Sequence, residues 1–194
     1  MKKMKKMKCL TCILIVLVVG MWTSVFAAEE QHLEAEEHLH GDHFNKKLYD
    51  KLSKKNIGRI LSGNIDVDAM LADMEELLEQ GVEGAESHMK DSHTPAVEAK
   101  MMKILIENHE KMLSMSLDDI ETQWHEGAAL KAKGVNISKM DSLGEAMRHL
   151  ELIVCPVEAI VCLKQYKISK DEELLEKMEE SLVEARDHLK HLEG

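Results

Sequence analysis

Leu175, Met178, Leu182, Ala185, Leu189 and Leu192 follow one another at intervals of three and four residues without a fault. That spacing is the buried seam of an α-helix and of nothing else, since a strand repeats every two residues. Leu143, Met147, Leu150, Val154, Val157 and Val161 repeat the pattern upstream, and Leu71, Met74, Leu78, Val82, Ala85 and Met89 repeat it once more. No stretch alternates as a strand would. The chain is therefore expected to be all-α, an antiparallel bundle of four or more helices preceded by a histidine-rich N-terminal arm.

Punctuation sets the expected boundaries. Residues 30–40 and 43–62 read as helix, interrupted near Gly41 and closed by Gly63-Asn64. Asp66 or Asp68 opens a helix to about Met89, in which Gly81 and Gly84 mark a close helix approach or a kink. Thr94-Pro95 reads as an N-cap with proline at the first helical position, for a helix to about Met115. Ser116 caps the next, which runs to Gly134. Ser138 starts a long helix through Lys167 with a kink at Pro156. Ser169 and Glu172 form a capping box for the last helix. Beyond residue 27 the only aromatics are Phe44, Tyr49, Trp124 and Tyr166, and methionines such as Met70/Met74, Met101/Met102 and Met112/Met115 are expected to fill their place in the core.

The N-terminus carries an export signal. Lys2, Lys3, Lys5, Lys6 and Lys8 precede the apolar run Leu10 to Gly20, and Val25-Phe26-Ala27 has the small or apolar residues a signal peptidase reads. The run is shorter than the roughly 20 residues of a membrane span. Three parts are expected: a cleaved leader over residues 1–27, an acidic histidine-rich arm over 28–43, and one helical domain over 44–194. The mature protein is then periplasmic or secreted, with no membrane attachment. Losing five lysines and no acidic residue takes the net charge from −11 to −16. Such an excess disfavours nucleic acid and anionic membranes and suits cations. Cys155 and Cys162, seven helical residues apart, lie about 10 Å from each other along a helix axis. That exceeds the roughly 7 Å limit for a disulfide, and free thiols are expected.

All 11 histidines lie beyond the leader. His32, His38, His40 and His43 fall within twelve residues, interleaved with Glu34, Glu36, Glu37 and Asp42. Imidazole and carboxylate are the donors that zinc, nickel and cupric ions take, and a flexible tether can gather them. Glu121/His125, Glu145/His149 and Glu184/His188 are each spaced i, i+4, and His191 extends the last pair. Each shares a helix face, as ligands or as ordinary surface pairs. His109 lies on the apolar side of its helix and reads as a hydrogen-bonded core residue. His125 follows Trp124 and is expected at the edge of the core. His88 and His93, with Asp91 between them, read as a solvated turn. Glu151, Cys155, Glu158 and Cys162 form one stripe at spacings of four, three and four. The stripe is either a thiolate and carboxylate ligand set or glutamates on a solvent face beside small apolar cysteines, and the second reading is preferred.

Several chemistries lack their motifs. No Cys-x-x-Cys-His survives the leader, so covalent haem is excluded, and there is no Gly-x-Ser-x-Gly, His-Glu-x-x-His or phosphate loop. The paired Glu-x-x-His of ferritin-like centres is replaced within the domain by Glu-x-x-x-His. An enzyme is not expected. Glu184-Ala185-Arg186-Asp187-His188-Leu189-Lys190-His191-Leu192, Glu145-Ala146-Met147-Arg148-His149-Leu150 and Glu83-Gly84-Ala85-Glu86-Ser87-His88 resemble the small periplasmic metal-binding proteins, acidic helical bundles with histidines along their helices. Here histidines are fewer per helix, the chain is longer, and the Cys155/Cys162 helix is foreign to that pattern. The resemblance implies loose binding of several divalent ions in a buffering or scavenging role. The leading expectation is thus a binding protein for copper, nickel or zinc ions through His32, His38, His40, His43, Glu145, His149, Glu184, His188 and His191. The competing one is a helical adaptor or chaperone-like protein without a metal, in which histidines titrate or do nothing.

Overall fold

The computed structural model describes residues 44–139 and 144–192, which belong to one compact unit. The leader, the histidine-rich arm with His32, His38, His40 and His43, and Leu143 of the second seam lie outside the described residues. Within them every regular element is helical: α1 (Lys46–Ser62), α2 (Val67–Lys90), α3 (Ala96–Met112), α4 (Leu117–Ile120), a π-helical turn (Glu121–His125), α5 (Ala128–Ala132), a 3-10 turn (Ile137–Lys139), α6 (Glu145–Ser169) and α7 (Glu173–His191). No helix among them is long and apolar enough to cross a membrane.

The central helix is α6. Every residue from His149 to Leu163 is buried, as befits a stretch that is apolar but for His149, Glu151 and Glu158 and must be covered on all sides. It is packed by α7, α2 and α3 and by α4 with the π turn, while α1 closes against α7 and α2. Asp68, early in α2, meets Lys167, late in α6. His88, late in α2, meets His149, early in α6. Those two helices therefore run in opposite directions. Lys46 at the start of α1 likewise reaches the Leu192 carbonyl just beyond α7.

The seams read from spacing lie along the core, though not every member is enclosed: in α2, Leu71, Val82 and Met89 are half-buried and Met70 and Leu77 take enclosed positions, and in α6 Met147 is half-buried. Leu175, Met178, Leu182, Ala185, Leu189 and Leu192 of the last helical segment are all buried, and Met70, Met74, Met101, Met102 and Met112 are fully enclosed. Pro156 sits inside α6, where it removes the N–H that would have bonded the Leu152 carbonyl. That carbonyl accepts instead from the Tyr49 hydroxyl of α1 at 3.1 Å. On its other side lies Gly81 of α2, where a Cβ would come within 2.1 Å of the same oxygen. Of the two readings of Gly81, close approach is the one found.

Several boundaries differ from expectation, each for a local reason. The Thr94 hydroxyl donates to the His88 carbonyl at 2.6 Å. It therefore closes α2 rather than capping α3, and Pro95 takes the cap position. Ser116 does cap its helix, bonding the Asp119 N–H. That helix is only one turn of α before the π turn, and Gly127, with φ of +76°, separates both from α5. The structure described from Ser138 is the 3-10 turn, and α6 begins at Glu145. Ser169 ends α6, and Lys170 turns the chain with φ of +59°. The first N–H of α7 is taken by the Asp171 carboxylate rather than by a Ser169/Glu172 box. Cys155 and Cys162 are buried free thiols.

Candidate metal centres

Two groups of histidines and carboxylates lie on α6, one near its start and one on its middle turns. The first lines an open cleft of about 640 Å³ whose walls include Phe44, His88, His93, Glu98, Glu145 and His149. Glu145 and His149 share a face of α6 by their i, i+4 spacing. α2 supplies His88 from its last turn, and the two imidazole rings lie 5.1 Å apart, tilted by 32°. His88, Glu145 and His149 each bring one ligand atom to within 4.8 Å of the others. Across the turn, α3 adds Glu98, 3.1 Å from His88 Nε2.

His149 is only 4% exposed, and its Nδ1 is buried without a hydrogen-bond partner. Burial, aided by neighbouring His88, drops its pKa to about 3, so the ring is a neutral imidazole at physiological pH, the form that binds metals. Gly84 leaves room for it: a Cβ there would stand 3.2 Å from the His149 ring and from Phe44. The expectation of a solvated turn at His88 is corrected, since its side chain is 10% exposed and faces the cleft. His93 does stay in the turn, exposed, paired with Asp91 at 3.0 Å.

The second group lies where α7 and the π turn cover α6. His125, on the π turn, sits between two glutamates of α6. Its Nδ1 is 3.0 Å from Glu151 and its Nε2 is 3.4 Å from Glu158. Burial lowers its basicity, but the two carboxylates more than reverse that, lifting the pKa to about 10. Ser181 of α7 donates to Glu158 at 2.9 Å, and the Cys155 thiol faces Glu151 at 3.7 Å. Burial alone would raise Glu158, yet His125, Ser181 and Lys177 hold it below the usual carboxylate range. Glu184 is shifted upward by burial and by the charge of Glu151.

This arrangement corrects the preferred reading of the Glu151/Glu158 stripe. The glutamates are not a solvent face: they are 7% and 5% exposed. The cysteines are the apolar fillers that reading expected, and burial pushes the Cys162 thiol up to about 12 and Cys155 well above its ordinary value. Their thiols are thus no ready source of thiolate ligands. Glu184 and His188 of α7 lie together with Glu151, whereas His191, exposed in the last turn, joins neither group. His109 is half-buried, its Nδ1 2.7 Å from the Ile106 carbonyl.

Spacing alone did not single out His88, Glu151 or Glu158 as partners of the helical pairs. The available signal was a charged residue inside an otherwise apolar helix: Glu151 and Glu158 interrupt the run from Leu150 to Leu163, and such glutamates are buried only with partners. No family model, curated protein or solved structure matches this chain significantly. The functional reading therefore rests on the residues themselves.

Proposed function

We propose that the protein is a binding protein for divalent transition-metal ions, with the His88/Glu145/His149 cleft as an exchangeable site. The observation that carries this reading is His149: a buried, neutral imidazole with an unpartnered nitrogen, set beside a second imidazole and a carboxylate at the wall of an open cleft. A core histidine kept for packing would normally have its polar atoms paired, because an unmet hydrogen bond costs about 1–3 kcal/mol. Two imidazoles and one or two carboxylates suit zinc, nickel and cupric ions. The cleft admits water and therefore exchange, which fits buffering or scavenging better than permanent structural binding.

In the same reading the leader sends the protein to the periplasm or outside the cell. The tract His32, His38, His40 and His43 then serves as a further capture site in addition to those of the helical domain. The strong acidic excess supports both, by drawing cations to the surface.

The test is isothermal titration of the full chain with Zn(II), Ni(II) and Cu(II), beside the variants His88→Ala and Glu145→Gln. Both positions line the cleft and neither is enclosed in the core, so the fold should survive. The expected result is saturable binding with one component that weakens at least about tenfold in each variant, the other components staying unchanged. Unchanged isotherms would remove the cleft from the reading. Absence of saturable binding anywhere would return the protein to the class of helical interaction modules.

A further inference from the structure

The group on the middle of α6 holds six candidate ligands from three elements. Glu121, His125 and Glu158 bring one ligand atom each to within 4.8 Å of one another, and so do Glu151, Glu184 and His188. The two triads adjoin, because His125 of the first is 3.0 Å from Glu151 of the second. Glu151 and Glu158 form an enclosed floor, 7% and 5% exposed. Glu121 and Glu184 are exposed and His188 is half-buried, so the rim meets solvent. One oxygen of Glu158, Oε1, is buried without a hydrogen-bond partner.

We propose that this group is a second metal centre that holds two divalent cations side by side, one in each triad. Each triad offers two carboxylates and one imidazole, a donor set for Fe(II), Mn(II) or Zn(II) rather than for a soft cation. Ligand atoms about 2.0–2.2 Å from one ion stand about 3.4 Å from each other. The present separations, all within 4.8 Å, would shorten toward that value on binding.

Two triads call for two ions. Four carboxylates gathered on one side of the central helix carry more negative charge than one divalent cation offsets, and in the metal-free protein His125, set between Glu151 and Glu158, supplies part of that compensation. The same inventory, four glutamates and two histidines, serves bundles that hold two ions between their helices. Here each Glu/His pair is one residue longer in spacing, and one pair stands on a π-helical turn, an element frequent at functional sites. The floor explains why two glutamates occupy the central helix, and the unpartnered Glu158 oxygen marks a coordination position. The centre shares no residue with the cleft, so either can be present without the other.

The experiment counts ions by difference, so that ions bound elsewhere cancel. The full chain, purified as the expressing cell processes it and stripped with a chelator, is prepared with the cleft disabled by His88→Ala and Glu145→Gln. Into this parent are placed Glu121→Ala, Glu184→Ala, or both, at exposed positions where folding is not at stake and is checked by circular dichroism. Each protein is loaded with Mn(II) or Zn(II), desalted and measured by elemental analysis. The expected result is that the double variant holds two fewer ions per chain than its parent. A deficit of one would overturn the two-ion centre, and a deficit of none would overturn the centre altogether. Neither result depends on whether the cleft binds metal.

Discussion

Asp50 of α1 accepts from Arg186 of α7 at 3.0 Å and also pairs with Lys54 one turn on. Burial would raise its pKa, but the two cations outweigh burial and hold the carboxyl below its ordinary value of 3.8. The native state therefore binds the proton less readily than the unfolded chain. Stability from this contact is complete above the unfolded value and disappears as the pH falls through the native one. Asp50→Asn should accordingly cost about 0.5 kcal/mol at neutral pH. The gap from the wild type should close as the pH falls from the ordinary carboxylate value through the lower native one, in urea titrations run across the acid range. A gap that persists in acid would mean that packing, not charge, joins α1 to α7 here. None of this was legible from spacing, since Asp50 and Arg186 are 136 residues apart.

At the scale of elements, the contact of α2 with α6 is decided by a glycine, a proline and a tyrosine. Pro156 frees the Leu152 carbonyl, Tyr49 satisfies it, and Gly81 lets the neighbouring backbone come up to it. A methyl group at 81 would meet a backbone oxygen at 2.1 Å, and no side-chain rotation can relieve that. Gly81→Ala should gain about 1 kcal/mol of helix propensity and lose more to separation of the helices, for a net destabilisation of about 2 kcal/mol. Gly58, exposed within α1 and with nothing within 4 Å of an added Cβ, is the matched control. Gly58→Ala should stabilise by about 0.5–1 kcal/mol. Thermal or urea denaturation of the pair should thus give opposite signs, and equal signs would contradict the packing described. The sequence marks Gly81 as a place of close approach or kink. The identity of the opposing atom comes only from the packed helices.

For the molecule as a whole, ion binding at sites that need α2, α6, α7 and the π turn assembled would stabilise the fold by mass action. At a free ion concentration about 100 times the dissociation constant, one site adds about 2.7 kcal/mol. In a domain of this size that should raise Tm by about 5–10 °C. Calorimetry with Zn(II) or Mn(II), followed by addition of EDTA, should show a rise that reverses. The rise should disappear when His88→Ala, Glu145→Gln, Glu121→Ala and Glu184→Ala are combined. A rise that survives the combination would place the stabilising ions elsewhere in the chain.

Helical periodicity is local, and so it is legible in the chain without a structure. Side chains three and four residues apart share a face whatever lies opposite, which reveals the α7 seam, the all-helical class and the three Glu/His pairs. Breaks that depend on one backbone conformation, such as Gly127 at φ of +76°, are not legible in this way, because a glycine inside a helical pattern is also tolerated. What faces each pair is not a local property. His88 comes to Glu145 and His149 because α2 runs opposite to α6, and Glu151 and Glu158 are enclosed because α7 and the π turn cover that side of the central helix. The sequence alone determined which residues could stand together on one turn. Tertiary packing, driven by burial of α6 on every side, decided which of them meet, and which glutamates lie beneath the surface rather than on it.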